Sequence, residues 1–139
     1  MFRLITNNAG LYHSVKSGEY VKGSSLDVLI RVRSLVHSGS IILTHPLCGN
    51  LRPNHQPFRS VIVDELHGPA DLVSLSVIES AVSVYQSSSL ILPDELDNAS
   101  RADYAYIDAE LMRESLGQYG LIMNDELCNA PSLLQKEEC

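Results

Sequence analysis

The sequence predicts an α/β protein, specifically a single three-layer α/β/α domain with a mostly parallel sheet, Rossmann-like or flavodoxin-like. Short runs of branched apolar residues, typical of buried strands, alternate along the chain with longer segments whose apolar residues recur at helical spacing. The 139 residues are 45% apolar, which suits one ordinary domain with one core. We therefore expect residues 1–139 to form one α/β domain.

The first two elements carry clear signals. FRLIT at residues 2–6 is a short apolar run that ends at a turn-forming cluster, and it predicts the first strand. Residues 11–23 favour no element. Ser24 is predicted to cap a helix, with Asp27 at its third position, and Gly39 suits the end of that helix.

Strand and helix signals continue after this helix. Residues 40–46 and 59–65 are predicted to be buried strands, because both are rich in branched apolar residues. Residues 67–89 predict a helix with Pro69 at the first helical position. Residues 90–92, before a proline, predict a short strand.

The last predicted helix has Ser100 as its cap and Asp103 three residues later. Its apolar residues at helical spacing are expected to face the core: Tyr104, Ile107 and Leu111. Its acids are expected to face water: Asp108, Glu110 and Glu114. Residues 120–124 predict a final strand.

This order of elements has a consequence for ligand binding. The crossover from the first strand through the Ser24 helix should be right-handed, which makes residues 2–6 and 40–46 parallel neighbours or near neighbours. In open α/β sheets, ligands bind outside the carboxyl ends of the strands. The polar stretches at residues 6–8 and 44–50 begin at such ends, so we expect them to face one another.

Composition excludes several classes of protein. Residues 1–63 carry seven Lys and Arg against two acids, whereas residues 64–139 carry three against fifteen. The net charge of -7 argues against a nucleic-acid partner, and no apolar run is long enough to predict a membrane span. The N-terminal residues lack the pattern of a signal peptide, which predicts a cytoplasmic protein.

Residues 44–60, THPLCGNLRPNHQPFRS, contain two arginines, two histidines and no acid. Arginine and asparagine side chains offer donors for carboxylate or phosphate, and Gly49 lets backbone N–H groups approach a ligand. We therefore predict a site for a small anionic molecule, formed with the polar stretch after the first strand. The predicted ligand-binding residues are Thr6, Asn7, Asn8, Thr44, His45, Gly49, Arg52, Asn54 and Arg59. Equally, the prolines and side-chain hydrogen bonds could simply hold a long connection to the surface.

Two other kinds of chemistry are less well supported. The spacings of His45, Cys48, His55 and His67 fit no familiar zinc pattern, and the chain lacks the glycine-rich motifs of nucleotide binding, so we predict no metal and no cofactor. A Cys48 nucleophile activated by His45 is conceivable, but a partly buried inert cysteine is commoner. His45 acting as a general acid or base on a small anionic substrate is the enzymatic alternative.

The run LTHPLCGNLRPNHQPFRSVIV, residues 43–63, resembles the GrdX-like family, and TNN at residues 6–8 also fits. The matching positions are Thr44, His45, Pro46, Leu47, Gly49, Arg52, Pro53, Asn54, Pro57, Phe58, Arg59 and Ser60. The resemblance implies a small cytoplasmic protein found with the glycine, sarcosine and betaine reductase systems of amino-acid fermentation, and it implies no defined activity. Because Cys48 is not among the matching positions, its role as a nucleophile is weakened.

Three functions are therefore open. The leading one is an accessory protein that binds a small anionic metabolite (amino acid, phosphate or acyl phosphate) at the Thr44 to Ser60 loop. The second is an enzyme that uses His45. The third is a non-catalytic module that docks a reductase subunit or its own copy, because the helix around residues 72–85 is richer in valine than one sheet face requires. A homodimer is the commonest form of self-association.

Overall fold

The computed structural model describes residues 1–47 and 56–122, which form helices and strands of an α/β fold. In chain order the elements are β1 (Phe2–Thr6), α1 (Ala9–Ser14), β2 (Gly18–Tyr20), α2 (Ser25–His37), β3 (Ile41–Ile42), β4 (Ser60–Asp64), α3 (Leu72–Gln86), a 3-10 turn (Pro93–Glu95) and α4 (Asn98–Gln118). The first strand and three of the four helices lie in segments where the sequence predicts them. α1 and β2 occupy a stretch that favours no element.

The described sheet is mixed. Its strand order is β2-β1-β4-β3, with β1 parallel to β2 and with β4 antiparallel to both of its neighbours. A mostly parallel, Rossmann-like or flavodoxin-like sheet is therefore not confirmed. Residues 43–47 and 56–59, the described parts of the connection between β3 and β4, contain no helix, whereas a parallel pair is usually joined by a crossover helix.

The strand directions define two opposite edges of the sheet. β1, β2 and β3 run the same way, and β4 runs against them between β1 and β3. We call the edge where β1, β2 and β3 end and β4 begins the carboxyl edge, and the opposite one the amino edge. Thr6 pairs with Ser60 at the carboxyl edge, so the polar stretch after β1 and the chain entering β4 are neighbours there.

Apolar side chains cover both faces of the sheet. Ile5, Val61 and Val63 point to one face and join a buried cluster with α2 and α3. Leu4 and Ile62 point to the other face and pack with the buried residues of α4. This alternation follows from the two-residue repeat of side-chain direction along a strand.

The first residues of α2 and α3 can be compared with their predictions. At α2 the Ser24 side chain accepts a hydrogen bond from the Asp27 N–H and the Asp27 side chain accepts one from the Ser24 N–H, so the predicted capping box is confirmed. Pro69 as the first helical position was wrong, because α3 begins at Leu72 and is capped by Asp71.

The chain around α4 also differs from its prediction. Ser100 is not the cap, because Asp97 accepts the hydrogen bond of the Ser100 N–H and the helix begins two residues earlier than Ser100. Residues 90–92 form no strand and instead lead into the 3-10 turn. Leu121 and Ile122, in the segment predicted as a final strand, are buried but not in a strand, and positions 123–124 lie outside the described residues.

Candidate functional site

A buried polar network occupies the carboxyl edge. Thr6 and Ser60 lie opposite one another on the α4 face of the sheet, with their hydroxyl oxygens 2.7 Å apart. The Ser60 hydroxyl donates to Oδ2 of Asp108 over 2.7 Å, so the Thr6 hydroxyl must be the donor to Ser60. The Thr6 oxygen in turn accepts the backbone N–H of Asn8 over 2.9 Å. The network therefore links β1, β4 and α4 at the point where the apolar face of the sheet becomes polar.

Asp108 lies inside the protein, and its predicted exposure to water was wrong. Its side chain is only 5% exposed, and it begins a stripe of buried α4 residues that continues at every fourth position with Met112 and Leu116. Ile107 and Leu111, which were expected to face the core, are 41% and 36% exposed. The buried face of α4 is therefore shifted by one residue from the face that carries Ile107 and Leu111. The cause is the Asp108 carboxylate, which forms a hydrogen bond with a hydroxyl of the sheet.

Burial raises the pKa of Asp108 above its ordinary value of 3.8. The hydrogen bond from Ser60, the positive charge of Arg59 and the hydrogen bond from Asn8 at 3.2 Å each lower the pKa and so oppose that rise. The carboxylate is therefore costly to bury and is stabilised by three neighbours that are distant in sequence.

The side chains of Asn7 and Asn8 hold the protein together at this edge. Asn7 Nδ2 donates to the carbonyls of Gly23 and Pro57 over 3.0 and 2.9 Å, and its Oδ1 accepts the Arg59 N–H over 2.9 Å. Asn8 Nδ2 donates to the Ala105 carbonyl and to Asp108. All four amide N–H groups are thus already used, which leaves no side-chain donor at these two positions for a ligand.

An open cavity of about 390 Å³ lies at the carboxyl edge above this network. Its lining comes from the chain after β1, from the start of α1, from β2, from the chain entering β4, from the 3-10 turn and from the first turns of α4: Asn7, Asn8, Ala9, Gly10, Tyr20, Phe58, Pro93, Asp94, Asn98, Arg101, Ala102 and Ala105. The volume falls in the range of roughly 300–1,000 Å³ that is common for small-molecule sites. Its position outside the ends of β1 and β2 is the usual ligand position in α/β proteins.

Arg101 is the arginine that lines this cavity. Its Nε donates to the Pro93 carbonyl over 3.0 Å and its Nη2 to the Leu96 carbonyl over 2.9 Å. Arg3, Arg31 and Arg33 each form an ion pair with a glutamate, whereas in the described ranges no carboxylate forms an ion pair with Arg101. The Nη1 of Arg101 also donates to Asn98 Oδ1 over 3.5 Å. A guanidinium has five N–H donors, so two remain for a ligand.

Sequence reasoning missed Arg101. Its position depends on two backbone carbonyls of the chain that precedes α4, and no sequence motif marks such contacts. One signal was available, because Arg101 is one of only three basic residues after Asp64 against fifteen acids. An isolated cation in an acidic segment was the feature to follow.

The other predicted site residues are distributed over several places. Thr44 accepts the Ile62 N–H over 2.9 Å, and His45 is exposed and accepts the Leu47 N–H at Nδ1 over 3.0 Å. Both line a separate small cavity of about 150 Å³ next to α3. Arg59 is only 1% exposed and lies close enough to Asp108 to influence its pKa. The predicted contacts Gly49, Arg52 and Asn54, together with Cys48 and His55, lie outside the described residues.

The enzymatic alternative, in which His45 acts as a general acid or base, stays a prediction. Within residues 1–47 and 56–122, His45 forms neither a hydrogen bond nor an ion pair with a carboxylate that could orient it as a base.

The same residues contain no group of three or more His, Cys, Asp or Glu side chains that could hold a metal ion. Among the described helices, none combines the length and apolar character needed to cross a membrane.

Comparison with known proteins identifies a family but not an activity. A family model described as GrdX-like protein matches residues 3–117, a range that begins in β1 and ends one residue before the end of α4. The matched range therefore includes the carboxyl edge and its cavity. No curated protein and no solved structure matches the chain.

Proposed function

Because the chain belongs to the GrdX-like protein family, we propose that it is a non-catalytic accessory protein that binds a small anionic metabolite at the carboxyl edge. Arg101 carries this proposal, because it lines the cavity, its guanidinium is held by the Pro93 and Leu96 carbonyls, and it forms no ion pair with a carboxylate of the described residues. Arginine is suited to carboxylate and phosphate because it presents paired donors to two oxygens at once.

The architecture around Arg101 supports the same proposal. The guanidinium is fixed before the ligand arrives, so little side-chain entropy is lost on binding. The Asn7 and Asn8 side chains fix the nearby backbone in the same way, since their amides are saturated by internal hydrogen bonds. The chain that enters β4 contributes Phe58 to the cavity wall, so the predicted Thr44 to Ser60 loop borders the site.

The ligand classes that we propose are an amino acid, a phosphate and an acyl phosphate, each of which presents at least one anionic group to Arg101. A link with glycine, sarcosine and betaine reductase metabolism is part of the proposal, and its support is the family to which the chain belongs. Arg52 and Asn54 stay predicted contacts.

A thermal-shift panel of phosphate, acetyl phosphate, glycine, sarcosine and betaine tests the proposal. At least one compound should raise the melting temperature at millimolar concentration, and Arg101→Gln should weaken its binding at least about tenfold, because a hydrogen bond between charged groups is lost. The ligand-induced shift is the readout, since Arg101→Gln also removes the bonds to Pro93 and Leu96. Arg33→Gln on α2 is the matched control and should bind normally. No shift with any compound, or an unchanged shift in Arg101→Gln, contradicts the proposal.

A protein-interaction module is the second candidate function, and exposed apolar residues on α3 favour it. Leu72 is 78% exposed and Val73 is 72% exposed at the start of the helix. Two large apolar side chains next to one another on a surface are a common feature of docking sites. Light scattering at high concentration tests self-association, where a monomer would count against it, and Leu72→Ser should convert any dimer to a monomer.

A further inference from the structure

The carboxyl-edge cavity is lined by charges of both signs. Asp94 lies in the 3-10 turn just before α4 and lines the cavity together with Arg101. Among the described residues, Asp94 forms no hydrogen bond and no ion pair, and in particular it forms none with Arg101. Each charge is therefore open to a ligand and is not neutralised by the other.

This pairing of charges discriminates between kinds of ligand. A ligand with only negative charge is attracted by Arg101 but repelled by Asp94. A ligand that carries a carboxylate and an ammonium group has a favourable partner for each charge. Since Asp94 is exposed, its contribution is modest, but it has opposite sign for the two kinds of ligand.

The remaining wall of the cavity is mostly apolar. Phe58 is 6% exposed, and Tyr20 contributes a second aromatic ring. Pro93 and four small residues also line it, next to three asparagines: Ala9, Gly10, Ala102 and Ala105 are the small residues, and Asn7, Asn8 and Asn98 are the asparagines. A cavity of about 390 Å³ has more room than two charged groups need, and an apolar wall favours an apolar substituent in that room.

We propose that the ligand is a zwitterionic α-amino acid with an apolar side chain. Its carboxylate binds Arg101, its ammonium group faces Asp94, and its side chain packs between Phe58 and the alanines of α4. This inference rests on the proposed function, because it specifies which anionic metabolite the same cavity selects.

Isothermal titration with valine and three relatives tests the proposal. Isovalerate lacks the amino group of valine, isobutylamine lacks its carboxylate, and glycine lacks its side chain. We expect valine to bind more tightly than each of the three. Asp94→Asn should weaken valine binding about threefold to fivefold, which corresponds to one exposed charge pair, and should leave isovalerate binding equal or stronger. Asp103→Asn, an exposed α4 carboxylate that does not line the cavity, is the matched control and should change neither.

The outcomes separate this inference from the proposed function. If isovalerate or phosphate binds as tightly as valine, or if Asp94→Asn leaves the preference for valine unchanged, the zwitterion is wrong but anion binding at Arg101 stands. If glycine binds as tightly as valine, the proposed packing of an apolar side chain in the cavity is wrong. If neither these compounds nor phosphate and acetyl phosphate bind, both proposals are wrong.

Discussion

Each edge of the sheet opens onto a cavity, but the arginine that lines the cavity forms an ion pair at one edge and not at the other. At the amino edge a larger cavity of about 530 Å³ is lined by Arg3, Tyr12, His13, Lys16 and Glu65, among others. There the guanidinium of Arg3 lies 2.6 Å from the Glu65 carboxylate, inside the wall of the same cavity. At the carboxyl edge the guanidinium of Arg101 is held by two backbone carbonyls and forms no ion pair among the described residues, and the Asp97 carboxylate interacts with its charge only at longer range.

The difference shows that neither cavity size nor a nearby arginine is sufficient to identify an anion site. A carboxylate already bonded to a guanidinium must be displaced before an anionic ligand binds there, and it repels that ligand as it approaches. Backbone carbonyls orient the guanidinium without neutralising it. The smaller cavity is therefore the better candidate for anion binding, and the following changes test that comparison.

The largest effect is expected for Asp108→Ala, which removes the acceptor at the centre of the carboxyl-edge network. Ser60 and Asn8 lose a hydrogen-bond partner and the charge of Arg59 loses a neighbouring carboxylate. The free energy of unfolding should fall by about 3 kcal/mol. Urea denaturation measures this change.

Asp103→Ala, which removes an exposed carboxylate from the same helix, is the control and should leave the unfolding free energy nearly unchanged. If Asp108→Ala is as stable as this control, the buried network does not hold the carboxyl edge together.

A smaller effect is expected on how the free energy of unfolding depends on pH. Because the folded pKa of Asp108 is raised above 3.8, the folded protein takes up this proton at higher pH than the unfolded chain does. The resulting stabilisation is present in full below the unfolded pKa and is lost as the pH rises through the folded pKa. Asp108→Asn cannot bind the proton, so the wild type should gain stability relative to Asp108→Asn as the pH falls.

Urea midpoints of both proteins, measured between about pH 4 and pH 8, give this difference. The comparison cancels groups that titrate in both proteins, such as Glu19, whose pKa is lowered by its hydrogen bond to Arg31. A difference that is constant with pH, or that grows in favour of Asp108→Asn at low pH, would show that burial does not raise the pKa of Asp108.

Thr44→Val should cost about 1 kcal/mol, because the Ile62 N–H loses its acceptor at the edge of the sheet. Thr44 lines the small cavity by α3 and not the one beside Arg101, so the ligand-induced thermal shift should be unchanged. Loss of binding in a folded Thr44→Val protein would return the site to the position predicted from sequence.

The smallest effect is expected at the amino edge. Arg3→Gln breaks a partly exposed ion pair with Glu65 and should cost about 0.5 kcal/mol. Ligand binding should not change, in contrast to Arg101→Gln. If Arg3→Gln abolishes binding, the amino-edge cavity is the anion site despite its internal ion pair.

Local signals in the sequence identified much of the fold. The start of α2 was predicted because Ser24 and Asp27 form a capping box within one turn of helix. The direction of β4 was not, because pairing between strands depends on contacts that no local pattern records. The inward position of Asp108 was missed for the same reason, since its partners Ser60 and Asn8 lie 48 and 100 residues away in the chain.

The ligand-binding residues expected from the sequence stay a prediction, and the structure gives the positions and partners of those that it describes. Thr6, Asn7 and Asn8 do lie where β1 ends, as expected for an α/β ligand site. Their polar atoms, however, are used in internal hydrogen bonds, which a list of donors and acceptors in a sequence cannot show. Arg101, the cation that lines the cavity, comes from a helix for which the sequence predicted only an apolar face toward the core and an acidic face toward water.

The most direct test of anion binding at the carboxyl edge is an NMR titration of the ¹⁵N-labelled protein, with valine and with inorganic phosphate in turn. We predict that the largest amide shift changes occur at Ala9, Gly10, Tyr20 and Arg101, which surround the carboxyl-edge cavity. Shift changes concentrated at the amino edge, around Arg3 and His13, or no change with either compound, would contradict the assignment.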